Sequence, residues 1–144
     1  MYRILFIGNS HTYLHHMPRL LTGLAQAKGI EIFTEQSTGE GASLAWHWNR
    51  PETKDLIARG QWTHVVLQER SRGPLDDKTS MHKHARPLDT IIRTANARTV
   101  FFMTWADADK PEMIEPVSEA YLSIANELGA LLVPVGLAWQ RALQ

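Results

Sequence analysis

The chain has 144 residues, no cysteine, and 15 basic against 15 acidic residues, so its formal net charge is zero. A length of this order holds about one domain, and 44% hydrophobic with 21% charged residues suits a folded globular core rather than disorder. A chain with no basic excess has little with which to neutralise nucleic-acid phosphates, and without cysteine it has no disulfides, thiolate metal sites or cysteine nucleophiles.

Short apolar runs alternate with helix-period segments. Residues 2–7 enter a first strand, in which Ile4, Leu5, Phe6 and Ile7 form a continuous apolar run ending at Gly8, the pattern of a strand buried on both faces. Met17, Leu20, Leu21 and Leu24 recur at helical spacing, with Gly29 as the stop. Residues 30–34 read as a second strand, 52–58 as a short helix, and 65–67 as a third strand. A loop rich in Ser, Arg, Gly and Pro follows. Leu88, Ile91, Ile92 and Ala95 fit one helix face, and residues 100–103 read as a fourth strand. Pro116 suits a first helical turn, Val117 to Leu128 carry an apolar stripe, and Gly129 closes it. Residues 131–133 make a fifth strand, and a last helix starts near Leu137. No apolar run approaches the about 20 residues that span a bilayer, and no cleavable signal pattern precedes the first strand. The expectation is a single α/β domain over 1–144, with no membrane partner, no nucleic-acid partner and a cytoplasmic location.

Strands alternating with helices imply a parallel sheet covered on both faces, and such sheets bind ligands beyond the carboxyl ends of their strands. Three segments there carry possible chemistry. Gly8-Asn9-Ser10-His11-Thr12 turns out of the first strand into a helix start, where free N–H groups favour a developing negative charge. Ser10 is either a hydroxyl nucleophile or a helix cap. Thr38-Gly39-Glu40-Gly41-Ala42-Ser43 is a glycine-bearing turn that either presents a backbone N–H to a substrate oxygen or is an ordinary turn. Gln68, Glu69, Arg70 and Ser71 follow the third strand and offer a side-chain amide. The loop 8–13 has one glycine, too few for a phosphate-cradling loop. His15-His16 and His82-x-His84 lack a third ligand at zinc-site spacing, so neither metal nor organic cofactor is expected.

Taken in order, ILFIGNSHTY, GEGASLAWHW, WTHVVLQERS, FFMTWAD and LLVPVGLAW resemble the SGNH (GDSL-type) serine hydrolases, and most of all an uncharacterised bacterial SGNH-like subfamily, across essentially the whole chain. The resemblance implies a flavodoxin-like three-layer α/β/α sandwich with about five parallel strands in the order 2-1-3-4-5. It makes Ser10 the nucleophile, the N–H groups of Ser10 and Gly41 oxyanion donors, and Gln68 the side-chain amide donor, with Ser71 as the alternative register. Asn9 replaces the usual Asp of the first block, and Asn9, Glu69, Ser71 and Trp105 are candidate pocket residues. The implied substrate is an O-acylated carbohydrate or a small acyl ester.

These enzymes carry a late Asp-x-x-His block, whose histidine deprotonates the serine. No histidine follows His84 here, so the expectation is a C-terminally truncated domain with impaired esterase activity. The alternative is a non-catalytic binding or structural domain. Loss of the covering helix also predicts an exposed apolar face and a homodimer.

Overall fold

The computed structural model describes all residues, 1–144. Five parallel strands, β1 (Tyr2–Gly8), β2 (Ile32–Thr38), β3 (His64–Leu67), β4 (Arg98–Phe102) and β5 (Leu131–Val133), form one sheet in the order β2-β1-β3-β4-β5. The expected order and α/β class are those observed. Eight helices connect and flank the strands: α1 (Ser10–Tyr13), α2 (Met17–Ala27), α3 (Leu44–Trp48), α4 (Pro51–Arg59), α5 (Gly73–Asp76), α6 (Lys78–Thr94), α7 (Ile114–Leu128) and α8 (Val135–Ala142). A 3-10 turn over Pro111–Met113 leads into α7.

Alternation along the strands divides the core into two layers, because successive side chains point to opposite faces. Leu5, Ile7, Val65, Leu67, Phe101 and Met103 join a cluster of 19 buried residues with Leu44 of α3, Ile57 of α4, Met81, Leu88 and Ile92 of α6, and Val117, Tyr121 and Ile124 of α7. Their strand neighbours Phe6, Val66, Val100 and Phe102 form a cluster of 4, packed by Met17 and Leu21 of α2, Val135 of α8 and Trp105. One face is therefore thick and the other thin, and on the thin side Leu14, Leu20, Leu24, Leu137 and Leu143 remain exposed.

Strand β2 lies later than the sequence predicts, over Ile32–Thr38 instead of 30–34. It is an edge strand, so its ladder to β1, from Tyr2–Ile32 to Gly8–Thr38, accommodates Glu35, Gln36 and Ser37 without burying a full apolar face. Helix α6 begins ten residues before the predicted apolar stripe and contains Pro87. The ring removes one backbone bond, and burial of Met81 and Ala85 before it and Leu88 and Ile92 after it holds the two halves in line. His82 and His84, weighed from sequence as zinc ligands, lie on this helix. No helix is long and apolar enough to cross a membrane.

Candidate active site

Register places the ends of the central strands at one level. Gly8 pairs with Thr38, Ile7 with Leu67 and Leu67 with Phe101, while the Gln68 N–H extends the ladder to Ile7 O at 2.9 Å. The segments after β1, β2 and β3 thus leave the sheet side by side.

Asn9 binds them to one another. Its Nδ2 donates to Ala42 O at 3.2 Å and to Glu69 O at 3.1 Å, and its Oδ1 accepts from His11 N at 3.1 Å. The residues joined this way flank Ser10, Gly41 and Gln68, so the three sequence-predicted groups come from loops fastened to a single side chain. Only an amide fits: two carbonyls need two donors, and an aspartate has none. Asn9 is 2% exposed, and both its donors and its Oδ1 are spent on the framework, so it shapes the site from beneath.

Ser10 is half-buried at the start of α1, with Asn9 as the N-cap. The capping role considered for Ser10 therefore falls to its neighbour. Helix α1 has four residues, so it offers unpaired first-turn N–H groups but little macrodipole. Gly41 takes φ +61°, a left-handed conformation that disfavours a side chain, and its N–H has no partner in any turn or loop bond. Gly8 answers a different constraint: a Cβ there would stand 2.5 Å from both Gln68 Oε1 and Thr12 Oγ1. The Thr12 hydroxyl donates to Gln68 Oε1, which fixes the amide's orientation. Gln68 is 1% exposed, and its Nε2 is a buried donor without a partner.

Glu69 is a second hub. Its Oε1 accepts from Arg70 N at 2.7 Å and Leu44 N at 3.3 Å, and its own N–H donates to the Tyr121 hydroxyl at 3.1 Å. Burial pushes its carboxyl above the ordinary value, against the pull of those two N–H groups. Ser71 stands on an exposed turn beyond it. Trp105, in the loop after β4, is half-buried, with the His11 ring edge-on at 4.4 Å and the Trp139 ring at 6.1 Å.

The histidines are placed as follows. His47, fully buried on α3, contacts Gly8 O through Nε2 at 2.8 Å and Thr53 Oγ1 through Nδ1 at 3.2 Å. A carbonyl only accepts, so Nε2 carries the proton, and the Thr53 hydroxyl donates to Nδ1 while lying 2.9 Å from Ser37 Oγ. Both nitrogens are occupied, and burial lowers the pKa to about 4. His82 Nε2 donates to Ala120 O, His84 Nδ1 to Ser80 O, and His64 opens β3 at the opposite end of the sheet. His11 has no hydrogen bond from its ring among those formed, and burial keeps it below its ordinary pKa. No three His, Asp or Glu side chains gather as a metal site. Thr12, His47 and Tyr121 were not singled out by sequence as parts of this framework; only a buried polar residue within an apolar window would have signalled them.

No protein-family model matches the chain, and no curated protein matches it. Solved structures do. A Slackia heliotrinireducens protein described as an SGNH hydrolase aligns with a TM-score of 0.81 at 29% identity, over 97% of this chain and 82% of its own. An acetyl-xylooligosaccharide esterase of Geobacillus stearothermophilus aligns at 0.78 and 16% identity, over 99% of this chain and 80% of its own. AlinE4, an SGNH-hydrolase family esterase, aligns at 0.73 and 14% identity, over 92% and 75%. The chain has an SGNH-hydrolase-like fold.

Two outcomes follow from the framework. Asn9→Asp removes two donors and sets a buried carboxylate against two carbonyls; it should cost about 2–5 kcal/mol at pH 7, with the deficit shrinking as acid protonates the new carboxyl, read by urea melts across pH. His47 has a folded pKa of about 4 against about 6.5 when unfolded. Its contribution is complete above the unfolded value and is lost as pH falls from there toward 4, by up to about 3 kcal/mol. Glu69, with its raised pKa, acts in the opposite sense, contributing at low pH and losing that contribution as pH rises. Comparing pH–stability curves of the wild type and His47→Gln isolates the histidine: the variant's slope between pH 4 and 6.5 should be flatter.

Proposed function

We propose that this domain is an ester hydrolase of the SGNH type, with Ser10 as the nucleophile and the N–H groups of Ser10 and Gly41, with the Gln68 amide, stabilising the oxyanion. The observation that carries the reading is that one side chain, Asn9, ties together the three loops bearing those groups. Gln68 Nε2 is a buried donor for which the protein itself offers no acceptor, and the Gly41 N–H, on an exposed turn, is free of any protein partner. A buried donor left open costs about 1–3 kcal/mol, and such groups mark places completed by a ligand or water. The substrate is an O-acylated carbohydrate or a small acyl ester, in keeping with one structural neighbour, an acetyl-xylooligosaccharide esterase.

In the reaction, Ser10 Oγ attacks the ester carbonyl and passes its proton to a base. The tetrahedral oxyanion collapses with expulsion of the alcohol, and water then releases the acid. We also propose that none of His47, His64, His82 and His84 serves as an efficient base. His47, His82 and His84 have ring nitrogens engaged elsewhere, and His64 lies at the far end of the sheet. Loss of triad members costs about 10⁴–10⁶ in rate in a model protease.

The chain incubated with 4-nitrophenyl acetate should acquire one acetyl group on Ser10, slowly and faster with added imidazole, as read by intact mass and peptide mapping. Ser10→Ala should acquire none. Absence of acetylation at Ser10 under both conditions rejects the nucleophile, and rapid turnover without imidazole rejects the missing base.

A non-catalytic domain is the second reading, favoured by that lack of a placed base and by the exposed apolar residues Leu14, Leu20, Leu24, Leu137 and Leu143. Burial of such surface by self-association is the expected consequence. Sedimentation equilibrium should then show a concentration-dependent homodimer that Leu20→Glu with Leu24→Glu returns to monomer; a monomer throughout the micromolar range rules the dimer out.

A further inference from the structure

A cavity of about 300 Å³ opens between the loop after β4 and helix α8, with walls that include Trp105, Asp107, Ile114, Trp139 and Gln140. It lies at the carboxyl ends of β4 and β5, where open α/β sheets take ligands, and its volume is at the lower end of the range of about 300–1,000 Å³ for small-molecule sites. Trp105 links it to the Ser10 segment: its indole lies 4.4 Å from the ring of His11, the residue after Ser10, and 6.1 Å from that of Trp139. The cavity therefore has a wall in contact with the residue that follows Ser10.

The wall chemistry selects the occupant. Ile114 is buried, but Asp107, Gln140 and half of Trp139 are open to water, so an alkyl chain laid there would gain little by desolvation. Its ionisable wall residue is a carboxylate, Asp107, which disfavours an anion. Two indoles offer apolar faces, while a carboxylate and a primary amide offer acceptors and donors. A ring with C–H groups on one face and hydroxyls at its edge satisfies both sets together.

We propose that this cavity binds a neutral sugar ring, with Trp139 against its C–H face, the tilted Trp105 at its edge, and Asp107 and Gln140 at its hydroxyls. Its assignment to the alcohol side of an ester rests on Ser10 as the nucleophile; its affinity for a sugar does not.

The test is binding without turnover. Xylobiose and cellobiose are titrated into ¹⁵N-labelled protein while the Trp105 and Trp139 indole N–H and Gln140 side-chain signals are followed. Saturable shifts in the millimolar range are expected with at least one disaccharide. Affinity should fall at least tenfold in Trp139→Ala and in Asp107→Asn, both at exposed positions with the fold verified by thermal melts. Ser10→Ala should bind as the wild type does, so failure of the serine chemistry would leave this result standing. The proposal is overturned by the absence of saturable shifts with both sugars, by equal affinity in the two variants, or by octan-1-ol saturating these signals where the sugars do not.

Discussion

The Asn9 carboxamide is the interaction on which the rest of the site depends. Parallel strands leave their connections as separate loops, with nothing in the ladder itself to hold the loop after β1 against those after β2 and β3. Asn9 supplies two donors and one acceptor and uses each on a different backbone group, satisfying buried carbonyls that otherwise carry a desolvation cost. Glu69 extends the tie, since its main chain accepts from Asn9 and its carboxylate gathers Leu44 and Arg70 N–H. Displacement of any one loop breaks bonds in at least two others, which is the condition for holding catalytic groups to a few tenths of an ångström.

Beneath that level, polar groups are handled by a second set of side chains, buried but for Ser37. His47, Thr53 and Ser37 form a chain of contacts ending on Gly8 O, and Tyr121 receives the Glu69 N–H from the opposite side of the core. Burial keeps His47 neutral and raises the Tyr121 hydroxyl's pKa far above its ordinary value, so neither exchanges protons near neutrality. Gln68 Nε2 stands outside this accounting as a buried donor just beyond the end of β3, while the Thr104 hydroxyl, just beyond β4, lies against the Tyr121 hydroxyl.

The sheet was legible because its strands are buried on both faces and read as continuous apolar runs, and because the glycines at 29 and 129 end helices before strands. Strand β2 was less so: an edge strand pairs through its backbone, and Glu35 to Thr38 carry no apolar signal. The single-turn helices α1 and α3 and the start of α6 escaped detection because four or five residues do not establish a 3.6 period. Ser10, Gly41 and Gln68 were legible as an ordered series of motifs. The bonds that bring them together were not, since which carbonyl a buried amide reaches is a property of register between strands remote in sequence.

The two layers of the core explain where the molecule is firm and where it is open. Nineteen residues pack the face carrying α3, α4, α6 and α7, and four pack the face carrying α2 and α8. Buried contact density sets local stability, so the Asn9–Glu69 framework, which draws on Leu44 and Tyr121 from the thick layer, stands on the rigid side. The loop after β4 and helix α8 rest on the thin layer, anchored mainly by Val135 and by Gly136, whose Cα is pressed against Thr104 O. A site divided in this way keeps the loops bearing Ser10, Gly41 and Gln68 fixed while the wall bearing Trp105 and Trp139 is left the freer part. On the proposed reading, selectivity for what sits beside an ester would be adjustable on α8 without disturbing the bonds that hold the Ser10 loop.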